Sequence, residues 1–251
     1  GVGILLDGRS VTMRDFEAHP RSVPIPREFR FEPPWNRMGE RIVYRDDFAG
    51  TPGELSTHKP DGSDVPWEKT VGRGSIDVVE PSGARVNASA EEPFDDRAFY
   101  TLPWDDPSFA DLEVTVTAPG TGRGQGHRCR VGLVFWQDRK NCLSVSTWLD
   151  DNYDGASMSV FTKRWGFEEI YDAVWTNVAD KISWSGKFTL RIAFDGDHFN
   201  IFIDGEPIMQ RALGDIYPDD PPLRIERIGI AVNWEWGTDT GSQIHRFVAR
   251  R

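Results

Sequence analysis

Phe188-Thr189-Leu190-Arg191-Ile192-Ala193-Phe194-Asp195-Gly196-Asp197-His198-Phe199-Asn200-Ile201-Phe202-Ile203-Asp204-Gly205-Glu206-Pro207-Ile208-Met209-Gln210 holds three strands and two turns in immediate succession. Phe188, Leu190, Ile192 and Phe194 recur at every second position, the period of a strand with one face in a core. Asp195-Gly196 and Asp204-Gly205 interrupt the pattern where a tight hairpin needs positive φ, which Gly adopts freely and Asp tolerates. Phe188–Phe194, His198–Asp204 and Pro207–Gln210 are therefore expected to be consecutive antiparallel neighbours.

The same period extends outward from this ladder. In Asp111–Ala118, Leu112, Val114 and Val116 share one face, and Glu113, Thr115 and Thr117 the other. Further strands are expected at Ile42–Phe48, Ser75–Val79, Ala84–Ser89, Ala98–Leu102, Ala156–Lys163, Ile170–Val174, Arg227–Trp234 and Gln243–Ala249. No segment carries a helical period of useful length, and no internal repeat is present. From about Arg41 to Arg251 the chain reads as one all-β domain, an antiparallel two-sheet β-sandwich of the jelly-roll kind. A length of 251 residues suits a single sandwich. The 15 Phe, 10 Trp and 5 Tyr supply apolar area for its core, and 24 Gly and 17 Pro supply its turns. Residues 1–40 differ: Pro20, Pro24, Pro26, Pro33 and Pro34 alternate with Arg14, Arg21, Arg27, Arg30 and Arg37, which predicts an extended arm lying across the sandwich.

Cys129 and Cys142 fall in one predicted hairpin, Cys129–Trp136 and Asn141–Trp148, turning at Gln137–Lys140. That register sets Cys142 opposite Phe135 and Cys129 opposite Trp148, roughly 20 Å apart at about 3.3 Å per residue. The separation is beyond disulfide reach, so two thiols are expected. With 40 acidic against 29 basic residues the net charge is -11, which disfavours nucleic acid and anionic membrane as partners. No run approaches the roughly 18 apolar residues of a membrane span. A secreted or periplasmic location is favoured over a cytoplasmic one.

The order of the pieces resembles the laminin G-like or concanavalin A-like superfamily as bacteria use it in carbohydrate-related proteins. The resemblance rests on Asp46-Asp47-Phe48; Arg130-Val131-Gly132-Leu133-Val134-Phe135-Trp136-Gln137-Asp138 before Asn141-Cys142-Leu143; Phe188–Gly196; Phe199–Pro207; Ile228-Gly229-Ile230; and Arg246-Phe247-Val248-Ala249. It covers about 200 residues and implies the fold and a glycan or polysaccharide as partner. It leaves binding, glycoside hydrolysis, lyase chemistry and plain adhesion open, because one scaffold serves all of them. It also implies a structural calcium held in part by Asp46 and Asp47. Against this, His245 and Arg246 stand where a later carboxylate ligand would be expected, and Ca²⁺ needs several oxygens. The alternatives are therefore a calcium site or two solvated strand-end residues, with no other cofactor expected.

Aromatics and carboxylates concentrate in Trp148–Asp154, in Arg164–Asp172 and in Trp234–Asp239. Trp148, Asp150, Tyr153, Trp165, Trp234, Glu235 and Trp236 are the candidate ligand-binding residues. Trp234 and Trp236, two apart on a strand, share a face; they form either a flat platform for sugar rings or part of the core beside Trp184 and Phe194. Were the protein an enzyme, the candidates would be Glu168, Glu169, Asp172, His127 and Arg164. Glycoside hydrolysis needs two carboxyl groups about 5–10 Å apart, and nothing in the spacing fixes such a pair. A lyase needs a Tyr or His base and a cation for the uronate carboxylate; Arg128 and Tyr171 are looser candidates. Gln243-Ile244-His245 resembles a motif of jelly-roll alginate lyases but lacks that family's flanking Arg-rich and Tyr-rich strands. The Gly120–Gly126 run has no following helix and no Gly-Lys-Ser/Thr ending, so it reads as a loop. Three functions remain in play: a glycan-binding module, a carbohydrate-active enzyme, and a structural sandwich that packs against an adjoining domain or a second copy.

Overall fold

The computed structural model describes residues 37–251 except 73, 88–97, 120–127, 151–155, 175–177, 179, 216 and 233–241, and the backbone alone at 128–129, 148, 150, 156–157 and 168–174. The chain divides into two units, Gly1–Arg30 and Phe31–Arg251, and every described residue lies in the second. The expected arm over residues 1–40 falls outside the described residues except for its last four. Of these, Gly39 donates its N–H to Asp111 Oδ2 at 2.7 Å and Glu40 donates to Arg251 O at 3.2 Å.

In chain order the described strands are β1 (Ile42–Asp46), β2 (Gly53–Glu54), β3 (Glu68–Gly72), β4 (Ser75–Val78), β5 (Ala84–Asn87) and β6 (Ala98–Pro103). Then come β7 (Ala110–Thr117), β8 (Arg128–Cys129), β9 (Val131–Asp138), β10 (Asn141–Asp150), β11 (Ala156–Arg164) and β12 (Phe167–Val174). The last five are β13 (Lys187–Phe194), β14 (His198–Ile203), β15 (Glu206–Ala212), β16 (Arg227–Val232) and β17 (Gln243–Arg250). All pairings are antiparallel. One sheet runs β15-β14-β13-β7-β17-β5-β4-β2, with β1 also on β17; the other runs β12-β11-β10-β9-β16-β6-β3, with β8 also on β10.

The ladder at 188–210 forms as its sequence dictates. Leu190 pairs with Ile203 and Phe194 with Phe199 across β13 and β14, and Ile201 pairs with Met209 across β14 and β15. The Asp204-Gly205 turn has φ of 51° and 81°, and Gly196 has φ of 91°. Asp195 Oδ1 accepts from the N–H groups of Asp197 and His198 at 3.0 and 2.7 Å, which closes the first turn in an Asx motif. Phe188, Leu190, Ile192 and Phe194 are all buried, as are Leu112, Val114 and Val116 of β7. They meet Leu133 and Phe135 of β9 and Ile228 and Ile230 of β16 in the core between the sheets. Phe135 and Phe194 close it edge to face at 5.0 Å. Each such side chain contributes about 1.5–3 kcal/mol through burial.

Three details depart from the sequence reading. The β9–β10 hairpin turns on Arg139-Lys140, so Cys142 stands opposite Trp136 and Leu143 opposite Phe135, one residue from the expected register. The cause is Asp138, whose Oδ1 accepts from the Lys140 N–H at 2.7 Å and from Asn141 Nδ2 at 3.1 Å. This tightens the turn and leaves a bulge between Asn141 and Cys142. Cys142 is a buried thiol outside any disulfide. Secondly, β12 begins at Phe167, three residues before the expected Ile170. Thirdly, β2 and β3 are too short or too irregular to show alternation; β3 shifts register between Lys69 and Val71.

The outer face of the second sheet carries a cluster of its own. In β9 the run Val131–Trp136 is buried at every position. Leu133 and Phe135 enter the main core, while Val134 and Trp136 join Phe99, Cys142 and Ala231 in a separate apolar cluster. Gly229 lies between these aromatics in register, pairing with Val134 and Thr101. A Cβ at Gly229 would strike the carbonyl oxygen of Tyr100. Gly229→Ala is therefore expected to cost about 1–3 kcal/mol, read as a lower urea midpoint with an unchanged slope.

Candidate functional site

The turn between β11 and β12 places an aromatic residue where few are tolerated. Trp165 has φ of 55° and Gly166 of 93°, a two-residue turn with both centres left-handed. The conformation is unfavourable for a residue with a Cβ by roughly 1–3 kcal/mol, and three hydrogen bonds to neighbouring segments hold it. The Trp165 N–H donates to Asn141 Oδ1 at 3.1 Å, the Gly166 N–H to Lys140 O at 2.9 Å, and the Trp165 indole N–H to Asp220 Oδ1 at 3.0 Å. Arg164 lies behind it, buried, donating from Nε to Asp220 Oδ2 at 3.3 Å and from Nη2 to Pro221 O at 2.7 Å. The indole and guanidinium donors together hold the Asp220 carboxyl below the usual aspartate range. With its polar edge fixed, the Trp165 ring remains 60% exposed beside Phe167 at 78%.

This tip is knit to the β9–β10 turn through Lys140 and Asn141, and that turn opens onto a groove. The groove has a volume of about 300 Å³ and is lined by Phe99, Trp136, Cys142 and Val71 with Arg139, Lys163 and Thr70. Phe99 and Trp136 meet edge to face at 6.1 Å and an angle of 80°. Lys163 pairs with Cys142 across β10 and β11, near the end of β11 and two residues before Trp165 in the turn that follows. The exposed tip is thus tied by backbone hydrogen bonds to the hairpin whose turn supplies Arg139 to the groove, an apolar pocket with two basic side chains.

Among the residues expected from sequence, Trp165 is exposed at this tip. Arg164 is not: its guanidinium is consumed behind the tip by Asp220 and Pro221, so it supports the turn and does not face a ligand. Glu168, Glu169 and Asp172 lie on β12, in register with Lys163, Thr162 and Val160. Trp148 and Asp150 lie on β10, opposite Ser157 and Arg128. The side chains of these five are outside the described residues, as are His127, Tyr153, Trp234, Glu235 and Trp236 altogether. Trp184 is half-buried and packs against the main core. His245 lies in the other sheet, with Nε2 at 2.7 Å from Thr117 Oγ1, and burial with nearby Lys187 lowers its pKa. Phe99, Trp136, Arg139, Lys163 and Phe167 were not singled out from sequence.

Asp46 and Asp47 do not fit calcium. Asp46 is fully buried and its oxygens accept from Trp67 Nε1 at 2.7 Å and the Phe48 N–H at 2.7 Å, with His58 Nε2 at 3.0 Å. Asp47 is occupied by Arg45 Nη2 at 2.7 Å and Arg246 Nε at 2.8 Å. Oxygens already taken by proton donors are poor ligands for a hard cation. Among the described residues no group of three or more His, Cys, Asp or Glu is placed to hold a metal ion.

Sheets, core and outer groove define an antiparallel β-sandwich of the jelly-roll class. No family model matches the chain, and no curated protein sequence matches it. Solved structures do match in fold. A Bacillus subtilis protein of unknown function with a galectin-like fold aligns at a TM-score of 0.54 and 13% identity over 84% of this chain and 96% of that one. A β-1,3-glucanase from Mycobacterium marinum aligns at 0.51 and 13% over 84% and 99%. A carbohydrate-binding CBM2 module of the evolved Dit protein of Lactobacillus casei BL23 phage J-1 aligns at 0.51 and 14% over 85% and 96%. At these identities the likeness concerns the fold.

Proposed function

We propose that the sandwich is a glycan-binding module whose ligand lies along the Trp165 tip and the adjoining groove. The observation that carries this reading is the Trp165 ring, fixed by hydrogen bonds from its own backbone and indole N–H groups yet left open to solvent. A rigid aromatic with a satisfied polar edge suits a sugar's C–H face, because little side-chain freedom is lost on binding. The fold accommodates a carbohydrate-binding module and a glucanase alike, so the choice between binding and catalysis falls to the lining. Glycoside hydrolysis needs a pair of carboxyl groups, and none of the described residues lining the groove is Asp or Glu. That favours binding.

The test is a glycan array followed by calorimetry on the best-bound oligosaccharide. Trp165→Ala is expected to weaken its binding tenfold or more, as loss of a central aromatic anchor does. Stability should fall by about 1 kcal/mol, since the ring is exposed but its indole hydrogen bond to Asp220 is lost, a loss small enough to leave the variant folded. Unchanged affinity would remove Trp165 from the site. Reducing ends or unsaturated uronates appearing in the same mixtures would replace binding by catalysis.

A further inference from the structure

Resting on the glycan-binding reading, we propose that the groove beside Trp136 selects a hexuronate, so that the ligand is an acidic oligosaccharide and not a neutral one. The argument begins with charge. The chain carries a net charge of -11, and most described basic side chains outside the groove are matched to carboxylates, as Arg45 and Arg246 are to Asp47, Arg250 to Glu113 and Arg191 to Asp111. Arg139 and Lys163 are exceptions. Both line the groove, and neither has a carboxylate partner among the described residues. Two cations that line one small pocket without a described carboxylate partner contribute little to the fold there, whereas an anionic ligand pairs with both.

The shape narrows the anion. A pocket of about 300 Å³ lies at the lower end for small-ligand sites, which limits it to a short stretch of oligosaccharide. Its apolar wall is the Phe99–Trp136 pair with Val71, and the cations come from two adjacent hairpins, Arg139 from the β9–β10 turn and Lys163 from the end of β11. A hexuronate matches this arrangement because its carboxylate is borne directly on a ring that also has an apolar C–H face. The ring meets the aromatic wall while the planar carboxylate takes the forked guanidinium and the ammonium. The exposed Trp165 and Phe167, on the hairpin that also supplies Lys163, receive a further sugar of the chain.

Calorimetry with oligogalacturonate, oligomannuronate, a neutral β-glucan hexamer and a sulfated glycosaminoglycan fragment tests this, using the full chain, the Arg139→Ala/Lys163→Ala variant and the Arg139→Lys/Lys163→Arg variant. The wild type should bind at least one oligouronate tenfold or more above the neutral hexamer and lose that preference in high salt. The double alanine variant should lose the same factor for uronate only, with an unchanged melting temperature, and the charge-preserving variant should retain most of it. Equal binding of the neutral hexamer, indifferent to the alanine variant, would overturn the uronate assignment and leave glycan binding standing. Preference for the sulfated fragment alone would overturn it likewise. Absence of binding to every glycan would overturn both.

Discussion

Asp46→Ala is expected to be about 3–5 kcal/mol less stable than the wild type in urea unfolding. The carboxylate has no contact with water and accepts from two buried donors, the Trp67 indole N–H and the Phe48 N–H, with His58 beside it. Alanine leaves these groups dry and without an acceptor, at about 1–3 kcal/mol each. The Phe48 hydrogen bond also supports a backbone φ of 52°, so the entry turn after β1 loosens with it. Asp46→Asn keeps an acceptor and loses less. Burial lifts the Asp46 carboxyl above the usual aspartate range, more than its hydrogen-bond donors pull it down. A carboxyl with a raised folded pKa is more readily protonated in the fold. Its favourable contribution is complete below the unfolded value of about 3.9 and is lost as pH rises through the folded value. The stability difference between wild type and Asp46→Asn should therefore shift against the wild type across that window.

Asp111→Ala is expected to cost a comparable 3–5 kcal/mol, the loss seen when one partner of a buried ion pair is removed. Asp111 is fully buried on β7 and receives Arg191 in a fork, Nε to Oδ1 at 2.9 Å and Nη2 to Oδ2 at 2.7 Å. Its Oδ2 also accepts from the Gly39 N–H at 2.7 Å. Gly39 approaches so closely that a Cβ there would come within 2.6 Å of Arg250 Cβ and 2.8 Å of Asp111 Cβ. The carboxylate thus ties the segment leading into β1 to the middle of the sheet. Besides a lower urea midpoint, the variant should be cut faster by trypsin after Arg37 and Arg41. An unchanged digestion rate would limit the role of Asp111 to its Arg191 pair.

The fold was largely legible because its strongest signals are local. Alternation over two or three residue pairs and an Asp-Gly dipeptide are complete within one hairpin, and β13, β14 and β15 follow from them without knowledge of the rest. At the Asp138 hairpin the expected register differs from the observed one by one residue because a side chain, the Asp138 cap on Lys140 and Asn141, sets the turn length. The site was less legible for a different reason. Val134 and Trp136 sit in a strand that is apolar on both faces, so periodicity cannot tell which residues enter the main core and which the outer cluster. Phe99, Trp136 and Lys163 come from three strands whose adjacency is decided by sheet order. Trp165 is accessible to sequence reasoning because it lies in Arg164–Asp172, one of the segments where aromatics and carboxylates concentrate.

The proposed glycan-binding module would need no chemistry beyond pre-organisation. Asp220 and Arg164 fix one ring, Asp138 fixes the turn that carries Arg139, and the sheet supplies the apolar wall. The account is tested most directly by chemical-shift mapping of the ¹⁵N-labelled protein titrated with the oligosaccharide bound best in the array. The indole N–H of Trp165 and the backbone amides of Arg139–Cys142 and Lys163–Phe167 should shift together and saturate with one affinity. Shifts confined to the other sheet, around Thr117 and His245, with the Trp165 indole signal unmoved, would contradict it.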